Sequence, residues 1–156
     1  MREGGGIRMK VSTKSRYGIR ALIDLTVNST NSHVSLVHIA TRNQISVHYL
    51  EHVFSALKRE GIVKSVKGAQ GGYVLAEIPE HITVEKIIRA VDGDYEIEPE
   101  SLKQDELGNT VSAVMDELLW ERLNEQAREF LQHITLADLV DEFIKRNEAE
   151  QSMYYI

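Results

Sequence analysis

The sequence predicts a mainly α fold with one small β-hairpin wing: a winged helix-turn-helix followed by a long C-terminal dimerisation helix. Three observations carry that expectation. Two amphipathic helical patterns, "VSLVHIATRNQ" and "SVHYLEHVFSALKREG", follow one another across a tight break. The apolar period then changes from about 3.6 to about 2 in "IVKSV" and "GYVLA", with glycines between them. Finally, "TVSAVMDELLWERLNEQAREFLQHI" is the longest helical pattern in the chain and carries a wide apolar stripe.

Each element has its own local signals. "MREGGGIRMK" is Gly-rich and patternless and reads as a leader, with Met9 as an alternative start. A first helix is expected from about Ser15 to Val27, with Ile19, Leu22, Ile23 and Thr26 on one face and Ser12, Thr13 or Ser15 as its cap. "NSTNSH" is a loop on composition. The next helix turns Leu36, Ile39 and Ala40 inward. The longer one after it opens on Ser46, buries Leu50, Val53, Phe54 and Leu57, and stops at Gly61. Beyond the hairpin, Thr83 and Gly93 bracket a short helix, and "DYEIEPESLKQDELGN" is an acidic linker or loop. Thr135 caps a last short helix, "LADLVDEFIKRN", before a polar tail with an aromatic end. The expected organisation is a leader at 1–8, a DNA-binding winged helix at 9–78, a connecting helix and acidic loop at 79–108, and a dimerisation helix, short helix and tail at 109–156.

Composition narrows the function. The chain has 156 residues and no cysteine, which removes disulfides, thiolate metal sites and cysteine nucleophiles together. It lacks a long apolar run and a secretory signal, so a cytoplasmic location without membrane contact is expected. The net charge of −6 conceals an asymmetry. Residues 1–78 hold eleven Lys/Arg against five Asp/Glu, a net +6, whereas residues 79–156 hold seven against nineteen, a net −12. A basic half joined to an acidic half fits a polyanion-binding module with a separate partner module.

The candidate chemistry lies in that basic half. With Leu50 set inward, a turn of about 100° per residue brings His48, His52, Ser55 and Arg59 to the opposite face, with Glu51 and Lys58 beside them and Tyr49 at one edge. Such donors and acceptors at the start of a second helix suit base edges in a major groove, and Ser46 and Thr41 suit phosphate. A solvated polar face is the alternative, since every amphipathic helix has one. "HYLEH" also matches the H-x-x-E-H of zinc peptidases, but a catalytic zinc needs a third protein ligand in an enclosed pocket, and this face points outward. "GAQGGY" is no phosphate-cradling Walker loop, and its G-x-x-G lies between strands rather than between the helices of a KH domain. A wing tip suits it better: Gly68 and Gly71 allow close backbone approach, while Lys64 and Lys67 supply charge. In the long helix Val111, Met115, Leu118, Leu119, Leu123 and Phe130 have little of their own domain to cover them, and pairing with a second copy would do so.

The stretches "MKVSTKSRYGIRALIDL", "ISVHYLEHVFSALKREGIVKSVKGAQGGYVLA" and "ITVEKIIRAVDG", with the lone Trp120 and "ITLADLV", resemble the Rrf2 (Rrf-two) family of bacterial winged-helix regulators, that of IscR, NsrR and CymR. The resemblance spans Met9 to Val140. It implies a homodimeric transcription factor, usually a repressor, without enzymatic activity, binding an inverted repeat in double-stranded DNA. It implies major-groove reading by Ser46, His48, Tyr49, Glu51 and His52, a minor-groove role for Lys67, and backbone contacts from Lys14 and Arg16. Cluster-binding members carry three cysteines before the long helix and a histidine ligand about where Glu117 stands, so no cofactor of that kind is expected here. The remaining likeness is to cluster-free members that repress cysteine-metabolism genes and work with cysteine synthase. It implies that Tyr154, Tyr155 and Ile156 dock into that enzyme as an extended end, with Ile156 in its pocket. The remaining alternatives are a regulator of the same family that answers a different, non-cluster signal, and a winged helix that binds only protein.

Overall fold

In α1 (Thr13–Asn28) the expected face is rotated by one position. A computed structural model describes residues 9–100 and 108–154, so the leader, part of the acidic stretch, and Tyr155 and Ile156 lie outside the described residues. The α1 residues turned inward are Ser15, Gly18, Ala21, Leu22 and Leu25, while Ile19 and Ile23 are half-buried. Both sets satisfy helical spacing, and tertiary packing decides between them. A Cβ on Gly18 would stand 3.2 Å from Val53 Cγ1, so the glycine lets two helices approach closely. Thr26 is occupied locally, its hydroxyl donating to the Leu22 carbonyl at 2.7 Å.

The helix-turn-helix follows. α2 (Leu36–Asn43) ends where Gln44 takes a left-handed backbone (φ 55°), its N–H turning back to the Ala40 and Thr41 carbonyls. Ile45 is buried in the turn, and Ser46 caps α3 (Val47–Arg59) by accepting the Tyr49 N–H at 3.1 Å. Leu50, Val53, Phe54 and Leu57 are wholly buried, each stabilising the fold by about 1.5–3 kcal/mol. Past α3, Gly61 adopts φ +73°, and the chain turns into the hairpin β1 (Val63–Val66) and β2 (Gly72–Leu75). Val63 pairs with Leu75 and Val66 with Gly72. Val34 adds a single bridge to Tyr73, with bonds of 3.0 and 2.9 Å, so the wing is tied to the chain before α2. Tyr73 lies edge-on to Phe54 at 4.8 Å, which anchors the wing on the helices.

The core does not stop at residue 78. α4 (Val84–Asp92), capped by Thr83, sends Ile87 and Ala90 into it; Ile82 joins them, as do Leu136 and Val140 from α7 (Leu136–Tyr154). A bridge between Thr83 and Thr135 clamps the starts of these two helices together. Ser12, the α1 cap, donates its backbone N–H to Asp92 at 2.9 Å and pairs its hydroxyl with the same carboxylate, which also accepts from the Ser15 hydroxyl at 2.7 Å. Burial opposes ionisation of Asp92, yet these bonds and the charge of Lys14 hold its carboxyl below the ordinary range.

The C-terminal half differs from expectation in two respects. The long pattern forms α5 (Val111–Met115), a π-type turn (Asp116–Trp120) and α6 (Glu121–His133) in one run. The helix after Thr135 is not short: α7 continues to Tyr154, so the tail is helical over the part described. Glu, Ala, Gln and Met fill the stretch, with no glycine or proline to end the helix.

Candidate DNA interface

The outer face of α3 is built as its spacing required. His48, Glu51, His52, Ser55, Lys58 and Arg59 are all exposed, while the opposite side of the same helix is buried. Tyr49 is half-buried, edge-on to Tyr17 of α1 at 5.5 Å. Arg20 stands over the Tyr17 ring at 5.3 Å, an exposed cation beside the face that sequence reasoning missed. Arginine in an amphipathic helix gives no signal of its own; the aromatic pair beneath it does. Ser46, at the helix start, is exposed. α3 leaves N–H groups unmatched at its first turn, where a helix favours anions. Thr41 is exposed too, but its hydroxyl donates to the Val37 carbonyl at 2.8 Å.

Charge separates the free cations from the committed ones. Arg42 forms a bidentate pair with Asp24 at 2.7 and 2.9 Å, which raises its already high pKa. Lys14 is half-buried near Asp92, whereas Arg16 is exposed. At the wing, Lys64, Lys67 and Gly68 are exposed, and Gly71 closes the tip by donating its N–H to the Gly68 carbonyl at 3.0 Å. Gly68 has φ +128°, a conformation that other residues rarely adopt. A Cβ on Gly71 would strike the Val66 carbonyl, so the tip is a tight turn that only glycine fills. His33 reaches the tip through its ring nitrogen and the Gln70 carbonyl.

The face of "HYLEH" is convex and open: the His48 side chain is 82% exposed and that of Glu51 59%. Among the described residues there is no group of three metal-ligating side chains, so a zinc-peptidase centre has no third ligand there. No helix among those residues is long and apolar enough to cross a membrane.

On the arm formed by α5, the π-type turn and α6, Val111 is 78% exposed and Phe130 65%, with Leu118, Leu119 and Leu123 about half exposed and Met115 half-buried. Its most deeply buried residues are polar, Asp116 and Asn124. Asn124 accepts the Ile97 N–H and donates to the Ile97 carbonyl, both at 2.8 Å. Asp116 accepts the Glu100 N–H at 2.8 Å, and Trp120 donates its indole N–H to the Glu100 carboxylate at 2.9 Å. The acidic segment read as a linker or loop is therefore fastened to the arm over the part described, with Tyr95 wholly buried. Glu96 joins it to both neighbours, pairing with Arg128 at 2.6 Å and with Arg89 at 3.4 Å.

Comparison with known proteins places this architecture. A family model described as "Rrf2: Iron-dependent Transcriptional regulator" matches residues 11–142. The HTH-type transcriptional regulator CymR of Bacillus subtilis is 39% identical over 148 residues, covering 95% of this chain and 100% of CymR. The regulator IscR of Erwinia tasmaniensis is 36% identical over 133 residues, 85% of this chain and 79% of IscR. The solved structure of B. subtilis CymR, the global cysteine regulator, superposes with a TM-score of 0.72 at 38% identity, over 85% of this chain and 97% of that one. With a helix-turn-helix, a wing and matches of this extent, the chain belongs to the Rrf2 family of winged-helix, DNA-binding transcriptional regulators.

Proposed function

We propose that two copies of this chain, paired through the arm, bind an inverted repeat and repress genes of cysteine or sulfur metabolism. The observation that carries the reading is α3, one face of which is wholly buried while the other offers an unbroken row of exposed polar side chains from the helix start onward. Ser46, His48, Tyr49, Glu51 and His52 occupy its first two turns and read base edges in the major groove. Ser55 and Arg59 lie further along; Arg59 is about 16 Å beyond His48 and meets backbone rather than bases. Lys64, Lys67, Gly68 and Gly71 form the wing contact, and Lys14 and Arg16 meet phosphate. Likeness to a regulator described as a global cysteine regulator supports the choice of genes. The absence of cysteine from the sequence leaves a cysteine-ligated cluster without ligands, so the signal is of another kind.

Partnership with cysteine synthase is the finer part of this proposal. Tyr154 stands 80% exposed at the end of α7, and Tyr155 and Ile156 follow it. The decisive experiment titrates an inverted-repeat promoter fragment at two salt concentrations, with and without the enzyme. Tight, salt-sensitive binding that the enzyme strengthens, and that deletion of 154–156 uncouples from the enzyme, supports both parts. Unchanged enzyme binding after the deletion overturns the tail's role. Absence of salt-sensitive DNA binding would favour a winged helix that binds only protein.

A further inference from the structure

The reading face of α3 holds a feature that base recognition does not require. His48 and His52 stand one turn apart, with their Nε2 atoms separated by 3.4 Å. The ring centroids are farther apart, 4.8 Å, with the planes at 82°, so the two Nε2 atoms are nearer each other than the ring centres are. A normal hydrogen bond between them would be shorter, about 2.9–3.0 Å. Two imidazoles on one tetrahedral ion, with metal–nitrogen bonds of about 2.0–2.1 Å, stand about 3.3–3.4 Å apart at the ligating atoms. The observed gap therefore matches the bite that two imidazoles on one ion require.

Two further details agree. Glu51 Oε2 lies 3.7 Å from Nδ1 of His48, the ring nitrogen not turned toward His52. At 3.7 Å the carboxylate is not hydrogen-bonded to Nδ1, but its charge there favours a proton on that nitrogen and leaves the Nε2 lone pair for a metal. The helix beneath is rigid, since Leu50, Val53 and Phe54 between and beside the two histidines are wholly buried. Both rings are exposed, so water can complete the coordination sphere. Imidazole pairs suit zinc, nickel and copper rather than magnesium or calcium.

We propose that His48 and His52 chelate a divalent late-transition cation on α3, and that the bound ion excludes DNA. The second half rests on α3 being the DNA-reading helix. A hydrated ion there fills the space a base edge must enter, and it takes the Nε2 atom of each ring, which could otherwise bond to bases. With two protein ligands the site is labile, suited to responding to free metal rather than to holding the fold together.

The test uses the whole chain and Zn²⁺ as the probe. Calorimetry on wild type, His48→Gln and His52→Gln should show one Zn²⁺ bound per chain, weakened at least about tenfold by either substitution and no further by both. His38→Gln and His133→Gln, which alter exposed histidines elsewhere, should leave that affinity unchanged. Binding that survives both single substitutions would put the zinc on other side chains and overturn the site. In the second arm, the DNA affinity of each protein is compared with and without saturating Zn²⁺, so any loss caused by the substitution itself cancels. Wild type should lose at least about tenfold, restored by chelator, while His52→Gln shows a ratio near one. A wild-type ratio near one, or a tightening, overturns the exclusion while the site stands. A chain that binds zinc through both rings but binds no DNA at all would overturn the role of α3 and the exclusion with it.

Discussion

The winged-helix head and the C-terminal arm solve burial in opposite ways. In the head, apolar side chains meet inside and polar ones face out: Leu50, Val53, Phe54 and Leu57 are covered on every side, while His48 and His52 stand in solvent. In the arm the order is inverted. Asp116 and Asn124 point inward, and Val111, Leu118, Leu119, Leu123 and Phe130 point outward. A single chain gains little by exposing five large apolar side chains along one helical run. It gains much if those side chains are the interior of a pair. The head covers its core side chains within one copy, whereas the arm leaves those five exposed. The polar residues on the arm's inner side bind backbone that has no strand or helix partner of its own. Asn124 matches the N–H and carbonyl of Ile97, and Asp116 matches the N–H of Glu100.

Substitutions break this comparison at its two ends. Phe54→Ala opens a cavity in a site with no exposure and should cost about 3–5 kcal/mol, read from denaturant midpoints. Leu119→Glu on the arm should leave the head folded and shift the mass in sedimentation equilibrium from a dimer toward the 17.7 kDa chain. A variant of Leu119 that remains dimeric would place the subunit contact elsewhere. Next in size is Asn124→Ala, which strands a buried N–H and a buried carbonyl at once. A loss of about 2–3 kcal/mol is expected, with faster amide exchange at Ile97 as the local readout.

The head was legible in the sequence because its signals are local. Ser46, Thr83 and Thr135 sit before apolar periodic runs and cap the helices they precede; Gly61 and Gly93 end the first two of these. The outward placement of His48 and His52 follows from spacing alone. The buried register of α1 was not legible, since two stripes satisfy the same period and only the approach of Gly18 to Val53 selects one. Nor was the arm's inner face. Asn124 bonds to backbone 27 residues away, in an acidic segment with no period to read. Periodicity reports apolar stripes, so it found the exposed side of the arm and was silent about the polar side that is buried. The bridge from Val34 to Tyr73 escaped for a related reason, being a strand one residue long.

A smaller effect sharpens the account of the head. Hydrogen bonds from Ser12 and Ser15, helped by Lys14, hold the Asp92 carboxyl below its ordinary range against the opposing effect of burial. A group depressed on folding stabilises the native state above its unfolded pKa, and that contribution is lost as pH falls through the folded one. Stability should therefore decline as pH drops below about 4, and Asp92→Asn should remove part of that slope. At neutral pH the same substitution should cost about 1–2 kcal/mol, since it weakens bonds made to a charged acceptor that ties the start of α1 to the end of α4.

The smallest expected effect lies where head and arm meet. Tyr95 is wholly buried against Val84 and Ile88, with Leu131, Ile134 and Leu139 around it, and Arg89 lies over its ring at 4.9 Å. Its hydroxyl has no hydrogen-bond partner among the described residues, and burial raises its pKa. Tyr95→Phe keeps the ring, the packing and the contact with Arg89 while removing a polar group that has left water without compensation. The variant should be as stable as wild type or more stable by up to about 1 kcal/mol. If it were destabilised by more than that, the hydroxyl would have a partner that one copy's described residues do not supply. The joint would then be completed from outside them, as the proposed pairing would complete the outer face of the arm.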